Sequence, residues 1–179
     1  REEIRESMGI TDQFVIGHVG NFCYQKNHYF LLDVFEEVHK KDPNTVLLLA
    51  GDGVRFEKVR QIVAEKNLED VVKLLGRRSD TDYLYQGMDA FLLPSNFEGL
   101  PIAGIEAQSA GLPCFMSDEI TKESKITEAC YFIPLKSGAK YWAEEILDNR
   151  IERQSAEFLD NAEQYDLANQ DQELKSLIR

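Results

Sequence analysis

Short apolar runs of four to six residues alternate with longer amphipathic stretches along most of this chain, and that alternation leaves few folds open. Phe14–Val19, Thr45–Ala50, Val71–Leu75, Ala90–Leu93, Pro113–Met116 and Cys130–Ile133 read as buried strands. Between them, Asn27–Lys41 carries Phe30, Leu31, Val34, Phe35 and Val38 at helical spacing. Arg55–Lys66 does the same with Val59, Ile62 and Val63. Asp80–Gln86 reads as a short helix with Tyr83 and Leu84 inward. Pro101–Ala110 is a helix with proline at its first position and Gly111 at its end, as capping geometry prefers. Strand and helix in turn imply right-handed crossovers and a parallel sheet covered on both faces. The predicted architecture is α/β, a doubly wound, Rossmann-like sheet of about six strands, whose ligands bind beyond the carboxyl ends of the strands.

After Lys140 no strand signal remains. Trp142, Ile146 and Leu147 define one amphipathic helix, and Ile151–Phe158 and Asp171–Ile178 two more. The expected division is residues 1–149 as the Rossmann-like α/β domain and 150–179 as a helical C-terminal tail. In that tail Asp160, Glu163, Asp166 and Asp171 read as a solvated face. The chain begins at Arg1 without an initiator Met, and is expected to be part of a longer protein.

Charge narrows the partners. With 20 Lys and Arg against 32 Asp and Glu, the net charge is −12. Such a balance argues against a nucleic-acid backbone or an anionic membrane as partner. Cys23, Cys114 and Cys130 form no C-x-x-C pair and read as small hydrophobes in a reducing, cytoplasmic protein. No apolar run is long enough to span a bilayer.

The chemistry concentrates in residues 94–113, where a strand ends, a loop carries Glu98 and Gly99, and a helix carries Glu106. Helix starts leave amides unpaired, so the backbone of Gly99, Leu100, Pro101, Ile102 and Ala103 is the candidate phosphate cradle. Gly104 is expected to let a ligand approach the helix closely. Lys26 lies just before the helix expected from Asn27, and its plain reading is a surface lysine. Gly51 and Gly53 turn the chain after a strand. His18 is expected in the core, and His28 on the surface of a helix N-terminus.

Two glutamates with seven residues between them resemble the E-x7-E signature of retaining glycosyltransferases of family 4, which have the GT-B fold. Other elements follow in the same order. Gly20…Lys26-Asn27 resembles the family's G-R…K-N/G, and Ala50-Gly-Asp-Gly53 its A-G-x-G. Met88-Asp-Ala-Phe-Leu-Leu-Pro-Ser95 resembles A-D-x-F-x-x-P-S, and Ala110-Gly-Leu-Pro113 resembles A-x-G-x-P. The likeness covers about Phe14 to Ile133, and is nearest to bacterial capsular and exopolysaccharide enzymes.

The resemblance implies one half of a GT-B fold: the C-terminal domain, which binds a nucleotide-diphosphate sugar, with a UDP-sugar as the expected donor. Lys26 then holds the diphosphate, Glu106 the ribose hydroxyls, and Glu98 the transferred sugar. The amides after Gly99 hold the leaving phosphate, and the base lies near Arg77 and Ser95. No metal and no further cofactor are expected. The glycan or lipid-linked acceptor is expected on an N-terminal domain, whose absence would leave this segment inactive alone. The full enzyme is placed in the cytoplasm or at the inner membrane face. Where the family carries Arg after Gly20, this chain has Asn21, so either donor affinity falls or Arg77 or Arg78 compensates. Alternatives are a sugar-nucleotide epimerase and a non-catalytic regulatory α/β domain.

Overall fold

The computed structural model describes residues 1–150. The tail helices expected at Ile151–Phe158 and Asp171–Ile178 lie outside the described residues. In chain order the elements are α1 (Glu2–Ser7), β1 (Phe14–Val19), α2 (His28–Lys41), β2 (Thr45–Ala50), α3 (Phe56–Glu65), β3 (Val72–Gly76) and α4 (Thr81–Gly87). There follow β4 (Ala90–Leu93), α5 (Ile102–Ser109), β5 (Cys114–Ser117), β6 (Cys130–Ile133) and α6 (Gly138–Asp148). Lys122–Ser124 and Leu135–Ser137 form single 3-10 turns.

All six strands are parallel, in the order β3-β2-β1-β4-β5-β6. The order reverses between β1 and β4, which opens a crevice at their carboxyl ends. β2 and β4 are buried at every position, as expected where both faces are covered. Ile16, Leu47 and Leu49 pack beneath α2, α3 and α6, with Leu31, Phe35, Val59, Val63 and Trp142. Val15, Val46 and Leu48 face the other way, beneath α1, α4 and α5, with Ile4, Leu84, Tyr85 and Ala107. The period-2 alternation of the strands thus divides one run of aliphatic residues between two cores.

Two local expectations are corrected. Tyr83 points outward, 40% exposed, and Leu84 with Tyr85 fills the core instead. Pro101 caps α5 from an extended conformation (ψ 90°), and the helix proper begins at Ile102. The sequence also gave no sign of α1. Its anchor is the buried Arg5, which bonds to the carbonyls of Gln13 and Gly87 and, at 3.0 Å, to Asp89 Oδ2. The same Asp89 oxygen accepts the Val15 amide at 2.8 Å. Asp89 therefore ties α1 to the amino-terminal edge of the sheet, opposite the crevice.

Candidate functional site

The carboxyl ends of β1, β2 and β3 are laced into one ledge. The Gly20 amide donates to the Ala50 carbonyl at 3.0 Å, and the Gly51 amide to the Gly76 carbonyl at 2.8 Å. The loop after β2 then folds onto the loop after β1: the Phe22 amide donates to Asp52 O, and the Arg55 amide to Phe22 O, both at 2.9 Å. Glycine is required there. A Cβ on Gly51 (φ +140°) would stand 2.0 Å from the Gly20 carbonyl oxygen, and one on Gly53 (φ +153°) 2.7 Å from that of Phe22. Above the ledge lies an open cleft of about 530 Å³ lined by Gly20, Asn21, Asp52, Arg77, Arg78 and Thr81, among others.

On the β4 side, Lys26 pairs with Glu98 Oε1, which also accepts the Ser95 hydroxyl at 2.8 Å. The Glu98 side chain is only 5% exposed and that of Lys26 15%. Lys26 is therefore no plain surface lysine; 72 positions separate it from its partner. Lys26 also lies against Gly20, since a Cβ there would sit 3.1 Å from Lys26 Cε. The loops after β1 and β4 are further joined through Asn96, whose amide donates to Gln25 O at 2.8 Å and whose Nδ2 donates to Tyr24 O at 2.7 Å. Ser95 is buried, and its carbonyl accepts the Ser117 hydroxyl at 2.5 Å.

The other predicted residues fall as follows. Glu106 is exposed on α5 and accepts a 2.9 Å bond from the Tyr85 hydroxyl, a partner the sequence reading did not name. Burial, with the Glu106 carboxylate second, pushes the Tyr85 phenol up, so it stays protonated and donates. One Glu106 oxygen is thereby fixed and the other left for a ligand. Gly99, Leu100 and Ile102 are exposed, and α5 starts without a side-chain cap. Pro101 is buried and, lacking an N–H, drops out of the phosphate cradle as a donor. Gly104 is corrected: it faces the sheet, where a Cβ would meet Met116 Sδ at 2.9 Å, and no ligand reaches it.

His28 is corrected as well. It is buried beneath the first loop, stacked on Phe22 at 4.0 Å and edge-on to His18 at 4.8 Å. His18 is the expected core histidine, its Nδ1 2.8 Å from Leu92 O; its Nε2 and both His28 nitrogens have no partner among the described residues. Burial first, then the charges of Lys26 and Arg55, lowers His28 to about 4, and burial with the neighbouring His28 lowers His18 well below the ordinary histidine range. Both rings are neutral at neutral pH. Below about pH 6.5 the unfolded chain takes up protons that the native state refuses, so stability is full above that pH and falls as pH drops toward 4. His28→Phe, which keeps the stacking face, is expected to flatten this slope. Melting temperatures at pH 7.0, 5.5 and 4.5 measure it; parallel curves for the two proteins would count against the burial.

Among the described residues no group of three or more His, Cys, Asp or Glu side chains is arranged to hold a metal. No helix of the described residues is long and apolar enough to cross a membrane.

The family model for group 1 glycosyl transferases matches residues 1–168. Two relatives are a putative glycosyltransferase, EpsF, of Bacillus subtilis (37% identical over 123 residues) and the capsular polysaccharide biosynthesis glycosyltransferase CapH of Staphylococcus aureus (32% over 169 residues). The alignments cover 68% and 89% of this chain but only 32% and 46% of those proteins, so the chain spans less than half of either. In fold it is similar to Anabaena HepE, solved in complex with UDP, with a TM-score of 0.81 at 20% identity, over 99% of this chain and 51% of that one. With Lys26, Ser95 and Glu98 gathered at the crevice of a six-stranded parallel sheet, the chain belongs to the group 1 glycosyl transferases and has the fold of the C-terminal, Rossmann-like half of a GT-B enzyme.

Proposed function

We propose that this chain is the donor-binding domain of a retaining, family 4 glycosyltransferase that uses a UDP-sugar to extend a glycan or lipid-linked acceptor in capsular or exopolysaccharide synthesis. The observation that carries the reading is the meeting of Lys26, Glu98 and Ser95 beside the Gly20–Asn21 ledge, at the one place where strand order reverses. In this reading Lys26 and the uncapped start of α5, with the amides that follow Gly99, take the diphosphate. Glu106, steadied by Tyr85, accepts hydrogen bonds from the ribose. Glu98 accepts from the sugar's hydroxyls beside its anomeric carbon. The base rests near Arg77 and the Ser95 end of β4.

Transfer breaks the bond between the anomeric carbon and the β-phosphate oxygen and forms one to an acceptor oxygen on the same face. The acceptor's proton passes to the departing phosphate. No protein base and no metal are needed. The acceptor and the other wall of the cleft belong to an N-terminal domain. Without that wall the reactants are not held together, and this segment alone performs no transfer. The enzyme works in the cytoplasm or at the inner membrane face.

The expected result is metal-independent nucleotide binding. Calorimetry of the purified chain with UDP in excess EDTA should show it, and 2′-deoxy-UDP should bind more weakly by roughly 1.5–3 kcal/mol, the worth of a hydrogen bond to the Glu106 carboxylate. Binding that vanishes on chelation, or ignores the 2′-hydroxyl, would remove the assigned mechanism.

A further inference from the structure

The charges around the cleft nearly cancel. Lys26 and Glu98 pair with each other and together offer an incoming anion no net charge. Arg78 is held by Asp80 through bonds of 2.8 and 2.6 Å. Asp52 is exposed and its Oδ1 accepts the Gly53 amide at 2.7 Å, which leaves it negative. Asn21 is neutral. Arg77 remains: it is exposed, lines the same cleft as Gly20 and Asn21, and has no hydrogen bond or ion pair with any described residue.

The backbone explains the placement. Gly76 (φ +64°) turns the chain directly after accepting the Gly51 amide, and Gly51 follows Ala50, which holds Gly20. The two bonds bring the residue after Gly76 to the same ledge as the residue after Gly20. We propose that Arg77 supplies the second cation for the donor's diphosphate, in the role that Asn21 cannot fill. The inference rests on the donor-domain reading and changes one part of it: Arg77 engages phosphate rather than only flanking the base. A guanidinium suits the task because its fork of donors matches two phosphate oxygens, and because it stays charged in a partly desolvated cleft.

The test is calorimetry of the whole chain and of Arg77→Ala, Asn21→Arg and the double variant, without metal. UDP, GDP and ADP are each titrated beside their monophosphates. For the diphosphate that binds the unaltered chain best, Arg77→Ala should weaken affinity about tenfold or more, the loss of a charge-assisted contact, and weaken the matching monophosphate far less. Asn21→Arg should restore most of that loss in the Arg77→Ala background and add little in the unaltered chain. Circular dichroism confirms that each variant is folded. Equal losses for diphosphate and monophosphate, no loss at all, or a double variant as weak as Arg77→Ala would each overturn the proposal while leaving the donor-domain reading intact. If the unaltered chain binds none of the three diphosphates, that reading itself fails, and the inference with it.

Discussion

Replacing Lys26 with Met is expected to damage stability and ligand binding together, and a second substitution should separate the two. Glu98 is almost wholly buried, with Lys26 as its charged partner and the Ser95 hydroxyl as its other donor. Removing one member of a buried pair leaves the other charge uncompensated, which costs about 3–5 kcal/mol. For a domain of this size that corresponds to a fall in melting temperature of roughly 10 °C. Nucleoside diphosphate binding should weaken by roughly 1.5–3 kcal/mol as well, for the lost ammonium. Adding Glu98→Gln removes the orphaned charge and keeps the shape, so Lys26→Met/Glu98→Gln should regain most of the stability but, without the ammonium, still bind more weakly than the unaltered chain. Denaturant titration and calorimetry on the same three proteins measure both. If the double variant is as unstable as the single one, the pair does not bear the weight given to it.

Gly51→Ala is expected to be the most damaging one-methyl change in the crevice. Its backbone sits at φ +140°, a region where a side chain costs on the order of 1–3 kcal/mol. Its Cβ would also lie 2.0 Å from the Gly20 carbonyl, a backbone atom that cannot swing aside. Relief requires moving the ledge itself, a further cost of about 1–3 kcal/mol by analogy with overpacked cores. Gly99→Ala is the comparison: nothing lies within 4 Å of the added carbon, and stability should change by less than about 0.5 kcal/mol. Urea midpoints decide it. Similar midpoints for the two variants would mean that the ledge yields easily.

The sheet was legible because a parallel strand announces itself as a solid aliphatic run. Every one of the six was found, with ends displaced by one residue at most. What escaped depended on contacts far apart in the chain. α1 has six residues, and its anchor is an arginine reaching Asp89, 84 positions away. His28 reads as surface beside Lys26 and Asn27, until Phe22 from the preceding loop stacks on it. The pattern predicts Tyr83 and Leu84 as the inward pair of α4, and the helix is rotated so that Leu84 and Tyr85 point inward. In a seven-residue helix few side chains are available to fix the phase. At the site, the resemblance pointed to Lys26, Glu98 and Glu106, and the structure added their partners, Ser95 and Tyr85. Gly104 was misread because an absent side chain serves close helix–sheet packing as readily as ligand access.

Asn96 has a consequence for the thermodynamics of ligand entry. By bonding twice to the loop that carries Lys26, it makes the two walls of the crevice one body. A ligand entering there need not freeze two independent loops, each of which would exact side-chain and backbone entropy on ordering. Association should then proceed with a modest entropic penalty and little change in the amide exchange of Gln25 through Asn27. The large motion that admits and encloses a substrate is left to rigid-body displacement against whatever faces this surface, so the speed of turnover would be governed by a hinge outside the crevice rather than by loops within it.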